Sequence, residues 1–175
     1  MAILMMLALI PHSQIIKASF NKTKAINDEF NAINKMRKSH SAPNLFYDSG
    51  LCPRASDHAD LIANTLVVQH SISFDFEYVG ETIAYIQKPP NMGYFGGEAA
   101  ARWYSQETNY DYESGKSTNG ENVDDFTTMV WRETTSVCIA IRETSQGSGR
   151  FYVVAHFFPV PNREGEYLNN VRKPI

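Results

Sequence analysis

The chain has 175 residues, about the length of one domain, and 43% of them are hydrophobic, enough to bury a core without relying on disulfides or metals. Its formal net charge of -3 gives no basic footprint, which excludes the electrostatic attraction that nucleic acid or an anionic lipid surface requires. Only Cys52 and Cys138 are present, too few for the dense cross-linking of small secreted domains; with nothing local to pair them they are expected as free buried thiols, one bridge being the alternative.

Near the N-terminus, Ala2 to Ile10 is an apolar run closed by Pro11, too short to span a bilayer and of the length of a signal-peptide core. Ile16 and Ala18 supply the apolar and small sites ahead of a cut after Ala18, although no Lys or Arg precedes the run, and a buried N-terminal strand or helix is the competing reading. The expectation is export, with residues 1–18 as signal peptide and 19–175 as the domain. Asn21-Lys22-Thr23, just past that cut, is a glycosylation sequon.

From Lys24 to His40 the apolar residues Ile26, Phe30, Ile33 and Met36 recur at helical spacing, predicting an amphipathic helix with Arg37 and His40 on its polar side, paired with a carboxylate elsewhere in the fold. Pro43 ends it. Pro53 marks a first turn, and Ala55, Ala59, Ile62, Ala63 and Leu66 predict a second helix running toward His70. Tyr78 to Ile86 alternates as a strand, with Val79, Ile83 and Tyr85 on one face and Glu81 interrupting it. Pro89, Pro90, Gly93, Gly96 and Gly97 make the next segment an irregular loop carrying Tyr94 and Phe95. Glu98 to Asn109 reads as a third helix, Glu113 to Glu121 as a polar loop, and Asp124 or Asp125 as the cap of a short helix through Trp131. Ser136 to Arg142 and Arg150 to Pro159 are strands joined by a Gly/Ser turn. Helices and antiparallel strands segregated in this way predict a layered α+β domain with Trp103, Tyr104, Phe126, Met129 and Trp131 in its core.

The ordered set Asn34-x-x-Arg37-x-x-His40, Pro43-x-Leu45, Ala55-x-x-x-Ala59, His70-Ser71, Gly80-Glu81-Thr82, Trp103-Tyr104, Asp125-Phe126-Thr127-Thr128-Met129-Val130-Trp131 and Tyr152-Val153-Val154-Ala155 with Phe158-Pro159 resembles the CAP family, which includes cysteine-rich secretory proteins, antigen 5 and pathogenesis-related protein 1. The likeness spans about Lys24 to Val171, and the short loops are most similar to the Golgi-associated type. It implies a three-layer α-β-α sandwich around a mainly antiparallel sheet. It also implies a cleft of two histidines and two acids that in some members binds zinc or another divalent ion. His70 and Glu81 match two of these positions, but the second glutamate falls on Gln106, with Glu107 one place late, and the second histidine falls on Asp125. One imidazole, one amide and two carboxylates are a poorer zinc set than two imidazoles, so no cofactor is expected and a divalent ion would be held weakly.

Glu81 on an apolar strand face needs a partner, and His70 is the expected one. His58 and His156 read as packing or surface residues. No family-independent nucleophile motif is present, so a conventional enzyme is not expected. The resemblance implies instead a non-catalytic module binding a lipid or sterol, or an extracellular protein, with Tyr94 and Phe95 as the ligand-loop candidates. Two alternatives stand beside it: a self-associating, membrane-peripheral protein of the secretory pathway, dimeric and without a transmembrane segment; or a weak metal-dependent or serine-type hydrolase. The hydrolase requires His70 to reach both Glu81 and a hydroxyl.

Overall fold

Asn21 opens the first helix: its side-chain oxygen accepts the Lys24 N–H at 2.9 Å, relieving one of the unpaired donors of helix α1, Lys22–Ser39. In the computed structural model, which describes residues 20–71 and 79–175, the centre of the α1 inner face is Ala25, Glu29, Ile33 and Arg37. The expected stripe of Ile26, Phe30 and Met36 flanks that line, half-buried against the core. Arg37 is therefore not on a polar face, and among the described residues it pairs with carbonyls in place of the expected carboxylate. Fully buried, it donates Nε to Pro43 O (2.8 Å), Nη1 to Met129 O and Trp131 O (2.9 and 2.8 Å) and Nη2 to Thr134 O (2.9 Å). Four carbonyl dipoles replace the lost water, and desolvation lowers the guanidinium to about 10. His40 is buried as well, between the Arg172 carbonyl and the Tyr104 hydroxyl.

After the short strand β1, Phe46–Tyr47, and a 3-10 turn at Ser49–Leu51, helix α2 runs Cys52–Thr65 with Pro53 in its first turn. It stops at Leu66, which adopts left-handed φ of 60°. His70 thus lies past the helix, not at the end of its stripe. The free-thiol expectation also fails: Cys52 at the start of α2 is bonded to Cys138, 86 residues on, with their Cα atoms 5.2 Å apart.

Strands β2 (Gly80–Gln87), β5 (Ser136–Glu143) and β6 (Arg150–Phe158) join β1 in one sheet of order β1-β5-β6-β2, parallel between β1 and β5 and antiparallel elsewhere. Alternation assigns each strand two faces. Val137, Ile139, Ile141, Phe151, Val153, Ala155 and Phe157 meet α1 and the later helices; Ala140, Tyr152 and Val154 meet Ala55, Ala59 and Ile62 of α2. The result is the expected three-layer α-β-α sandwich, with small α2 residues letting that helix lie close to the sheet.

Helix α3, Glu98–Tyr104, is shorter than expected and continues as a 3-10 turn, Ser105–Asn109. A short hairpin pairs β3 (Tyr110–Asp111) with β4 (Lys116–Ser117), the second of which lies inside the segment anticipated as loop, Glu113 to Glu121. Helix α4 is Asp124–Val130 and α5 is Tyr167–Asn170. Neither aspartate caps α4; the Asn122 side chain accepts the Asp124 N–H at 2.7 Å. Trp103, Phe126, Met129 and Trp131 are buried and Tyr104 half-buried, as core residues should be. Among the described residues no helix is long and apolar enough to cross a membrane, and the expected signal peptide lies outside them.

Candidate functional site

Glu81 and His156 are register partners across β2 and β6, and His156 is in turn the partner of Cys138 on β5. All three side chains therefore stand on the α2 face of the sheet. His58 reaches the same place from α2, and the segment after α2 brings in His70 and Ser71. From the described residues Glu81 accepts four hydrogen bonds there: His70 Nδ1 and the Ser71 N–H on Oε1, both at 2.9 Å, and Ser71 Oγ at 3.0 Å and His156 Nε2 at 2.8 Å on Oε2. His58 Nε2, donated to the Gln69 carbonyl at 2.8 Å, stands 3.9 Å from Oε2.

Burial would raise the Glu81 carboxyl, but the bonds from His156, His70 and the Ser71 amide outweigh it and hold the group well below the usual carboxylate range. The same bond raises His70, against partial desolvation, with Asp125 and Asp124 adding to the field. The expected His70–Glu81 pair is present. His156 and His58, read from the sequence as packing residues, belong to the same cluster; the missed signal was that a β6 histidine at the register of Glu81 must face it.

Gln106 and Asp125 form the other half. Gln106 Nε2 donates to Asp125 Oδ2 at 2.9 Å, while its Oε1 accepts the Phe126 N–H at 3.1 Å, so the amide caps α4 from a distance. Burial pushes the Asp125 carboxyl up to about 6, against the Gln106 bond and the His70 charge and with help from Asp124. Glu107, one position late, accepts the Tyr112 hydroxyl at 2.7 Å instead.

His70, Glu81 and Asp125 line an open cleft of about 620 Å³ with Asn122, Thr128 and Asn162. Gly80 is needed at its floor, because a Cβ there would collide with the Pro161 ring. A second pocket of about 410 Å³ lies on the other side of His70, with His58, His156 and Leu61 in its wall. Among the described residues no three His, Cys, Asp or Glu side chains are grouped to hold a metal ion. His70 and His156 each give one ring nitrogen to Glu81, and the Gln106 amide nitrogen can only donate, so the family positions bring one free imidazole nitrogen, that of His70, and the Asp125 carboxylate toward the cleft, a sparse set for zinc.

The two ligand-loop candidates separate. Tyr94 is buried, its ring 5.7 Å from that of Phe151 and its hydroxyl donated to Glu29, so the expectation that it faces a ligand fails. Glu29 also accepts the N–H groups of Gly97 (2.6 Å) and Ala100, and the Tyr94 oxygen accepts that of Ala99 at 3.1 Å. A buried carboxylate and a phenol thus cap α3, whose N-cap, Gly97, has no side chain to do so. Burial raises the Glu29 carboxyl, partly offset by the Tyr94 hydroxyl and the Ala100 and Gly97 amides. Gly96, at φ 90°, lets the loop touch the Ala25 carbonyl of α1. Phe95, between these anchors, is 58% exposed.

The family described as CAP, cysteine-rich secretory protein family, matches residues 30–157. The chain is 31% identical over 150 residues to human Golgi-associated plant pathogenesis-related protein 1, covering 85% of this chain and 92% of that one. It is 27% identical over 123 residues to pathogenesis-related leaf protein 4 of Solanum lycopersicum, covering 70% of this chain and 69% of the relative. Schistosoma mansoni venom allergen-like protein 4 shares the fold with a TM-score of 0.61 at 17% identity, covering 86% of this chain and 93% of that one. NaASP2, solved with Zn2+, does so with a TM-score of 0.60 at 21% identity, over 87% and 86%.

Proposed function

Since the chain belongs to the CAP family of cysteine-rich secretory proteins, we propose that it is a non-catalytic, exported binding module that takes a sterol or fatty acid on the loop 88–97. The observation that carries this reading is the contrast within that loop: Tyr94 is 2% exposed and locked to Glu29, while Phe95 is 58% exposed on the frame this lock creates. Ordering an apolar ring in water costs free energy that a ligand covering it returns. Met92, on the same loop, is also exposed.

Two features support the rest of the proposal. Ser71 Oγ is hydrogen-bonded to Glu81, whereas a hydrolase would need that hydroxyl on His70, so base, acid and nucleophile are not in relay order. The Cys52–Cys138 bridge favours an oxidising compartment, in keeping with export.

The test is titration of the protein with radiolabelled cholesterol and palmitate, each with and without zinc or calcium. Saturable, metal-independent binding is expected, weakened roughly tenfold by Phe95→Ser, as loss of a phenyl burial predicts, and unchanged by His70→Ala. Loss of binding in His70→Ala with Phe95→Ser unaffected moves the site to the cleft.

A second reading, self-association, has its own observation. Phe46, 75% exposed, and Phe158, 41% exposed, flank Ser136 in one row across β1, β5 and β6, an apolar edge that a second copy could cover. Sedimentation across a concentration series, with Phe46→Ser as the control, decides it.

A further inference from the structure

We propose that Asn21 is a glycosylation site carrying one N-linked glycan, an inference that rests on the export reading above. Asn21-Lys22-Thr23 is the only Asn-x-Ser/Thr triplet with a non-proline centre in the chain. All three residues are exposed, and Asn21 itself stands outside α1 with extended backbone, φ -87° and ψ 91°.

The carboxamide of Asn21 is divided in the way the modification needs. Oδ1 accepts the Lys24 N–H at 2.9 Å, while Nδ2 has no hydrogen-bond partner among the described residues. In the transfer, Asn21 Nδ2 forms a bond to the anomeric carbon of a lipid-linked oligosaccharyl diphosphate. The bond from that carbon to phosphate oxygen breaks, the lipid diphosphate leaves with the electron pair, and the amide nitrogen loses one proton. The product is still an amide with a free carbonyl oxygen, so the helix cap survives. The contacts of the region also arise late in synthesis: the Phe20 ring packs 5.1 Å from that of Phe151, on β6, so the sequon passes the transferase before its fold partners are made.

The position bears on the proposed ligand loop. Gly96 abuts the carbonyl of Ala25, one helical turn from Asn21, and Tyr94 and Phe20 pack on the same Phe151 ring. A glycan at Asn21 stands at the rim of the loop that presents Phe95, a hydrophilic neighbour that suits capture of a single lipid molecule.

The experiment expresses the full chain, with its own first residues, in a eukaryotic secretory cell line, beside a version preceded by a foreign signal sequence. Wild type, Thr23→Ala and Asn21→Asp are compared. Thr23→Ala keeps the capping asparagine and Asn21→Asp replaces it with an equally good cap, so both should fold with unchanged thermal midpoints. The expected result is secreted wild-type protein whose gel mobility shifts on treatment with peptide N-glycosidase, with Asn21 converted to aspartate in the released peptide, and no shift in either variant. Secreted, unshifted wild type overturns the glycan and leaves export standing. Retention of the native chain in the cytosol overturns export for that chain; the foreign-signal version then judges the site alone, and an unshifted product there overturns it too.

Discussion

The imidazole of His156 donates to the carboxylate of Glu81 at 2.8 Å, between register partners on β6 and β2. That bond is buried on the α2 face of the sheet, whereas the His70 side chain on the other carboxylate oxygen is 62% exposed. The two histidines should therefore differ in what they contribute to folding.

Glu81→Ala leaves His156, the Ser71 amide and the Ser71 hydroxyl without their acceptor in a low-dielectric pocket. Breaking a buried pair in this way costs about 3–5 kcal/mol, and Glu81→Gln, which retains one acceptor oxygen, should cost less. His70→Ala removes an exposed partner and should cost under about 1 kcal/mol. Urea denaturation of the three variants checks the order; equal losses in His70→Ala and Glu81→Ala would contradict it.

Asp125 makes stability depend on pH in the direction opposite to Glu81. Its folded value of about 6 lies above the ordinary 3.8, so the folded state holds its proton longer and the carboxyl's contribution is lost as pH rises from about 4 through 6. Asp125→Asn keeps an acceptor for Gln106 and should stabilise the protein by about 1–3 kcal/mol at pH 7.5, with no gain at pH 4. Glu81, held low, contributes fully above the ordinary 4.5 and loses its contribution as pH falls through its depressed folded value. Thermal midpoints from pH 3 to 8 separate the two.

His70 should titrate above its ordinary 6.5, because its charged form bonds Glu81. Its stabilising contribution is complete below 6.5 and disappears as pH rises through the folded value. In Glu81→Gln the imidazole resonance of His70 should fall back toward 6.5, since burial then lowers it and only Asp125 and Asp124 still raise it; an unmoved titration would mean that Glu81 is not the cause.

Reducing the Cys52–Cys138 bridge releases a constraint across 86 residues of chain. The loss should be about 2–5 kcal/mol in guanidinium unfolding with and without reductant, and Cys52→Ser with Cys138→Ala should remove the difference.

The Glu29 lock predicts a local effect. Tyr94→Phe removes one donor and the phenol oxygen that accepts the Ala99 amide, costing about 1–2 kcal/mol, and should speed hydrogen exchange at Ala99 with little change at Ala100, whose acceptor is Glu29 itself. Uniform acceleration across α3 would argue against this division.

The sequence by itself determined the layered fold, because helical and alternating periods are local and survive without knowledge of neighbours, while the ordered motifs from Asn34 to Pro159 carried the resemblance to the family. It also paired His70 with Glu81, since a carboxylate on an apolar strand demands a partner. Burial of Arg37 and Glu29 was not legible: along α1 a charged residue at core spacing looks like a polar face until the carbonyls of Met129 and Trp131, or the amides of α3, arrive to receive it. The bridge between Cys52 and Cys138, the place of His156 beside Glu81, and the opposite fates of Tyr94 and Phe95 were likewise decided by tertiary structure alone. Each depends on the register of strands and the seat of a helix, contacts between residues far apart in the chain, whereas periodicity reports only which face of an element is apolar.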